Sequence, residues 1–166
     1  MRFVAISSVL ALALGLPTSG VGSMPWEAGE THCVVYVVGQ QPDGEFIVSD
    51  LVCYSGLGEA LSAASGGLIE PNEIESSGDI FTDKGLASVL STFTLGIHFD
   101  GFNGQGSSIS VVGDSCIGGW WNTGSSWANK ISSSWNGCYR LRHHDGPNKT
   151  GASADTVGSG THNIPS

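Results

Sequence analysis

Two stretches of this chain, 45 residues apart, are written in one pattern. His98-Phe99-Asp100-Gly101-Phe102-Asn103-Gly104-Gln105-Gly106-Ser107-Ser108 and His143-His144-Asp145-Gly146-Pro147-Asn148-Lys149-Thr150-Gly151-Ala152-Ser153 share H-x-D-G-x-N-x-x-G-x-S, six identities in eleven positions, and stay in register as far as Val112-Gly113 and Val157-Gly158. Such a repeat is one supersecondary unit used twice, each copy needing the other to bury its apolar face. Alternation of Ile97 and Phe99, a Gly/Asn-rich turn and a return through Ile109, Val111 and Val112 read as an antiparallel hairpin. Both glycines of each turn are expected at positive φ, which a Cβ resists. Two units of four short strands predict a mainly β, antiparallel Greek-key sandwich.

Composition suits that reading and removes others. Charged residues are 13 % of the chain and Gly is 25 of 166, so Ser, Thr, Asn and Gly must make most of the polar surface. Six Lys+Arg against fifteen Asp+Glu, a net charge of −9, give no basic patch for nucleic acid. No apolar run of about 20 residues follows the N-terminus, which argues against a membrane span. Five Trp and 40 % hydrophobic residues argue against disorder.

Residues 1–23 read as a secretory signal peptide: Met1-Arg2, an apolar stretch, then Pro17 and small residues up to a cut near Gly22 or Ser23. Four Cys in an exported chain read as two disulfides, with three pairings open. The similar separations of 20 and 22 residues favour Cys33 with Cys53 and Cys116 with Cys138. No C-x₂-C pair supports a zinc site instead.

From Leu95 onward the residues resemble the βγ-crystallin motif. Phe99 is followed seven positions later by Gly106, then by Ser108 and by Trp127-Ala128-Asn129-Lys130-Ile131-Ser132-Ser133. That is similar to secreted microbial members, with Cys116-Ile117-Gly118-Gly119-Trp120-Trp121-Asn122 before the Trp127 segment and Cys138 opening the second unit. The resemblance implies calcium ligands from a side-chain oxygen, a backbone carbonyl and a hydroxyl, here Asn129, the Lys130 carbonyl and Ser132. Ala128 stands at the first ligand position, and no carboxylate is present to match the charged oxygens calcium favours. The alternative is that Ser132 and Ser133 tie down a turn through hydrogen bonds to backbone. Gly104, His144 and Lys149 replace family aromatics. The second unit's own Ser-Ser segment is missing from the sequence, so that Greek key is expected to lack its last strand or to borrow one.

Enzymatic motifs are weaker. Gly113-Asp114-Ser115 resembles a serine-hydrolase tripeptide, but Cys116-Ile117 interrupts it and no base is evident. His143 and Asp145 share a strand face, as do His98 and Asp100, which suggests a pair that steadies the turn, with zinc as the alternative. Trp120, Trp121, Trp127 and Trp135 read as core, with a sugar-stacking platform as the other option. Asn148-Lys149-Thr150 is a glycosylation sequon in a eukaryotic host.

The front half reads as a small α+β module closed by a disulfide, residues 24–92: a strand from Cys33 to Val38, a turn, a return strand from Glu45 to Val48, and a helix over Leu57–Ala64 closed by Gly66-Gly67. Residues 70–84 are expected to be a mobile acidic loop. Residues 93–166 are then the crystallin-like domain with a truncated second unit. The expected function is binding of an extracellular protein or cell-surface target, with no catalytic centre, no nucleic acid and no membrane span, and calcium as the candidate cofactor. The alternatives are a secreted proteinase inhibitor, killer toxin or effector, and, from a different class, a secreted serine hydrolase.

Overall fold

The structure, a computed structural model, describes residues 29–74 and 77–165. The signal peptide reading lies outside these residues. Strand exceeds helix, 38 % to 22 %, so the protein is mainly β. No helix among the described residues is long and apolar enough to cross a membrane.

Among the described residues there are nine strands: β1 (His32–Gln40), β2 (Phe46–Val48), β3 (Val52–Tyr54), β4 (Thr94–Phe99), β5 (Ser108–Val112), β6 (Ser133–Asn136), β7 (Arg140–Gly146), β8 (Thr150–Val157) and β9 (Gly160–Asn163). The main sheet runs β2-β1-β5-β4-β6-β9, with β3 also on β1, while β7 and β8 form a separate hairpin. This sheet is mixed where a wholly antiparallel one was expected, because β1 pairs parallel to β5 from His32↔Ser108 to Tyr36↔Val112. One edge of β1 is taken by its antiparallel neighbours β2 and β3, and the direction of β5 is fixed by its hairpin with β4. The segments read as a front module and a crystallin-like domain thus contribute strands to one sheet.

Helices cover one face. α1 (Leu57–Ala64) forms where expected: Leu57, Ala60, Leu61 and Ala64 make one buried stripe, and Gly66 and Gly67, both at positive φ, follow its end. Ala60 and Ala64 pack on Val34 and Val112 of the parallel pair. Residues 70–84 contradict the mobile-loop expectation. They hold a 3-10 turn (Pro71–Glu73), α2 (Ser77–Thr82) and the Asp83 cap of α3 (Lys84–Leu90), whose carboxylate accepts from the Gly85 and Leu86 amides. Ile74 and Ile80 anchor this acidic stretch in a core shared with Phe99 and Trp135. Two buried apolar side chains, Ile74 after the 3-10 turn and Ile80 on α2, outweigh the polar composition around them.

The two repeats adopt the same backbone. In the first, Gly101 (φ −103, ψ 164) leads into a 3-10 turn, Asn103 is left-handed (φ 57) and Gln105 is extended. In the second, Gly146 (φ −112, ψ 160), Asn148 (φ 54) and Thr150 repeat each state. Gly106 and Gly151 take φ of 80 and 78. Of the two glycines the copies share, only the second uses positive φ, which corrects the expectation for Gly101 and Gly146; Gly104 (φ 75) and its counterpart Lys149 (φ 61) are left-handed as well. Gly101 is needed for close approach: a Cβ there would lie 2.6 Å from the Gln105 carbonyl oxygen.

Candidate binding cleft

The β7–β8 hairpin sits on the sheet face opposite the helices. Leu141 packs over Gly96, where a Cβ would come within 2.6 Å of its methyl. Beside it a polar network spans the layers: Thr156 Oγ1 donates to Asn136 Oδ1 (2.9 Å), Asn136 Nδ2 donates to the Gly158 carbonyl (3.2 Å), and His143 Nε2 lies 3.3 Å from Ser134 Oγ. His98 meets His143 at the same interface, ring centroids 5.3 Å apart. Burial pushes the His98 imidazole down to about 3, helped by His143. It pushes His143 down to about 4, against the pull of Asp155.

Between this hairpin and residues 113–132 lies a cleft of about 1310 Å³, lined by apolar Leu95, Val111 and Leu141 and by Trp120, Trp121 and Trp127. It is an open cleft, wider than a small-molecule pocket of about 300–1,000 Å³. Polar and charged side chains such as Asn122, His144 and Asp145 surround its apolar part, so it suits a macromolecular surface better than a small ligand. The segment bearing the tryptophans is fastened at several points. Cys116 is bonded to Cys138. The Phe46 amide donates to the Trp120 carbonyl (2.7 Å) and the Trp120 amide to the Gly44 carbonyl (3.1 Å). Gly119 lies under the Phe46 ring, leaving no room for a Cβ. The front strands therefore buttress one wall of the cleft. The second disulfide, Cys33 to Cys53, joins β1 to β3, so both favoured pairings are present.

Charge is concentrated on the other wall. Arg142 makes a bidentate pair with Asp155 (Nε–Oδ1 2.7 Å, Nη2–Oδ2 2.9 Å), and Arg140 bonds the same carboxylate. The two guanidiniums hold the Asp155 carboxyl well below the usual carboxylate range. Lys149 Nζ lies 4.8 Å from the Trp120 ring centroid. Arg140, Arg142 and Lys149, three of the chain's six Lys+Arg, line this one cleft.

The sequence-derived candidates fall in different places. Asn129 and Lys130 are exposed, Asn129 in the left-handed region; the Lys130 carbonyl accepts a long 3.5 Å bond from the Ser132 hydroxyl. No cluster of three or more His, Cys, Asp or Glu suited to a metal occurs among the described residues. Ser133 ties down a turn as the alternative reading had it. Its hydroxyl donates to the Gly101 carbonyl (2.6 Å) and accepts from the Gly104 amide (2.9 Å), clasping the first repeat's hairpin. Ser115 is exposed and accepts from the Ile117 amide. His98 and His143 do not steady their own turns; they face each other across the layers. Trp127 and Trp135 are core, whereas Trp120 and Trp121 are half-buried at the cleft.

Two residues that sequence reasoning missed tie the repeats together. Asn163 accepts from the Asn103 amide (2.7 Å) and donates to the Asn103 side chain (2.9 Å). Asn122 does the same for Asn148, at 2.9 and 2.8 Å. The only trace in the sequence is a shared Gly-x-x-Asn, Gly119 to Asn122 and Gly160 to Asn163. Compared with protein-family models, curated proteins and solved structures, the chain matches none of them.

Proposed function

We propose that this chain is an exported, non-catalytic binding protein of βγ-crystallin-like type that engages an extracellular protein or cell-surface target through the cleft between residues 117–127 and the β7–β8 hairpin. The observation that carries the reading is the cleft itself: an apolar floor with two half-buried tryptophans on one wall and three cations on the other. The crystallin-like, Greek-key part rests on the strand order β5-β4-β6-β9 facing a separate hairpin, and on two matching turns each held by an asparagine beyond its own hairpin. Export rests on the leader-like residues 1–23 and is compatible with two disulfides. On this reading calcium would sit at Asn129, the Lys130 carbonyl and Ser132. These are three neutral oxygens of the six to eight the ion takes, so affinity there is about millimolar or weaker.

The test uses the oxidised protein immobilised against surface extracts of candidate target cells. Wild type captures a partner, and Trp120→Ala, with unchanged far-UV circular dichroism and melting temperature, loses it. Equal capture by both proteins removes the cleft from the reading. Ester turnover by wild type that disappears in Ser115→Ala would establish the hydrolase in its place.

A second reading, the secreted inhibitor, is favoured by Ile117. It is 87 % exposed beside the Cys116–Cys138 bridge, in a segment fixed at both sides. Inhibition of a protease at micromolar protein that is lost in Ile117→Asp supports it; a panel of proteases left fully active removes it.

A further inference from the structure

We infer that the outer edge of β7 is a docking edge for an extended segment of a partner protein, one that carries a Ser or Thr at one position and a carboxylate two residues along, and that this segment enters as an added strand. The inference deepens the binding reading above and rests on it for the cleft.

The argument starts from the repeat. Residues of β4 and β7 correspond at an offset of 45, so Ile97 and Phe99 correspond to Arg142 and His144. In the first repeat the outer edge of β4 is occupied by β6: Ile97 pairs with Trp135 and Phe99 with Ser133, and the Phe99 carbonyl accepts from the Ser132 amide at 2.8 Å. In the second repeat, among the described residues, β7 pairs with β8 alone. The orientation of its groups follows from one bond. The Gly158 amide donates to the Tyr139 carbonyl, and Arg140 is opposite Val157, so Tyr139, Leu141 and His143 turn their backbone groups toward β8. Arg140, Arg142 and His144 therefore turn theirs outward, since direction alternates along an antiparallel strand. An edge of this kind is a template for another strand.

The first repeat also shows what the added strand must supply. Ser133 on β6 clasps the turn through the Gly101 carbonyl and the Gly104 amide. The corresponding atoms of the second turn are the Gly146 carbonyl and the Lys149 amide, and no side chain among the described residues makes this pair of bonds to them. A hydroxyl in the Ser133 position of an added strand would do so. Two residues along, in the position of Trp135, the side chain would stand beside Arg142 on the outer face. Arg142 and Arg140 share the single carboxylate of Asp155, so the group keeps a net positive charge that favours a second carboxylate as the cross-strand neighbour. Arg140, Arg142 and Lys149 against Asp145 and Asp155 leave this wall cationic in an otherwise acidic chain.

The same cations select against a second copy of this chain. Two β7 edges paired antiparallel would set arginines against arginines, a destabilising cross-strand arrangement. The long cleft beside the edge gives the inward side chains of an added strand somewhere to go, over Leu95 and Leu141.

The probe is the hexapeptide Ile-Ser-Ser-Ser-Glu-Asn, which copies Ile131 to Asn136 with Glu in the Trp135 position. Two companions carry Lys in place of Glu, or Pro in place of the third Ser. Amide hydrogen exchange of the oxidised protein is followed by NMR as each is titrated to millimolar concentration. The expected result is protection of the Arg142 and His144 amides by the Glu peptide, binding about tenfold weaker for the Lys peptide and none for the Pro peptide. In Arg142→Glu the order of the Glu and Lys peptides reverses. Equal binding of all three, protection at Ser153 and Asp155 of β8 instead, or no protection at all overturns the inference. Protection that depends on protein concentration without peptide, with a dimer in sedimentation, overturns it in favour of a second copy. If Trp120 proves necessary for partner capture while β7 stays unprotected in the complex, the strand-addition inference fails and the cleft reading stands. If the peptides protect β7 but capture is indifferent to Trp120, the reverse holds.

Discussion

His98 and His143, which occupy the same position of the two repeats, meet edge to face at the centre of the molecule, ring centroids 5.3 Å apart and planes at 85°. Each ring comes from a different layer, so the contact is the seam along which hairpin and sheet are joined. Neither ring is free to take a proton there. Burial holds them near 3 and 4, helped at His98 by His143 and at His143 by His144, against 6.5 for an exposed imidazole.

The sign of the pH dependence follows. Lowered folded-state values mean that, as pH falls below 6.5, the unfolded chain binds protons before the folded one does. Stability is therefore full above about pH 6.5 and is lost down to about pH 4 for His143 and about 3 for His98, each contributing up to about 1.4 kcal/mol per pH unit within its window. Melting temperature should fall steeply from pH 6.5 to 4.5, and His98→Leu should flatten that fall. An equal slope in the variant would show that the seam does not carry the dependence.

Ser133 makes two bonds from a fully buried hydroxyl, one to the Gly101 carbonyl and one to the Gly104 amide. Ser133→Ala leaves both backbone groups without that partner, and a buried polar group stripped of its partner costs about 1–3 kcal/mol. The urea midpoint should drop accordingly. Ser115→Ala, which removes one exposed bond to the Ile117 amide, should leave it unchanged within about 0.5 kcal/mol.

Much of the local structure was legible in the sequence. The stripe of Leu57, Ala60, Leu61 and Ala64 gave α1 its bounds, and cysteine spacing pointed to both bridges. The repeat led to two hairpins of one shape because the Asn and the second shared Gly of each copy, Asn103 with Gly106 and Asn148 with Gly151, both take left-handed positions. Long-range pairings left no such mark. Nothing local tells β1 to lie parallel to β5, since that register depends on which edges are already taken. The fastening of Asn148 by Asn122, 26 residues away, shows in sequence only as a Gly-x-x-Asn that any loop could contain. Ile74 and Ile80 were lost in an acidic, Ser-rich stretch whose composition suggested exposure, although two buried side chains suffice to dock it.

Asn122 fastens the tip of the second hairpin to the tryptophan-bearing segment across the cleft. Asn122→Ala removes both bonds to Asn148 and the contact with Glu45. All three are near the surface, so global stability should fall by no more than about 1 kcal/mol. The cleft should nevertheless open, because this is a direct tie between its walls. Hydrogen exchange at the Asn148 amide should accelerate while that at Ile97 and Ile109 stays slow. Uniform acceleration would place the effect on the whole fold.

Gly106 and Gly118 separate backbone conformation from crowding. Both have positive φ, 80 and 51. A Cβ at Gly118 meets nothing within 4 Å, whereas at Gly106 it would lie 2.1 Å from the Asp100 carboxylate oxygen. Gly118→Ala should cost only the left-handed penalty of about 1–2 kcal/mol. Gly106→Ala must in addition push Asp100 away from the turn and should destabilise by more. Gly106→Ala combined with Asp100→Ala should recover that excess but not the left-handed penalty, which chemical denaturation of the four proteins would resolve. A double variant no more stable than Gly106→Ala alone would mean that the carboxylate is not what the first repeat's second glycine makes room for.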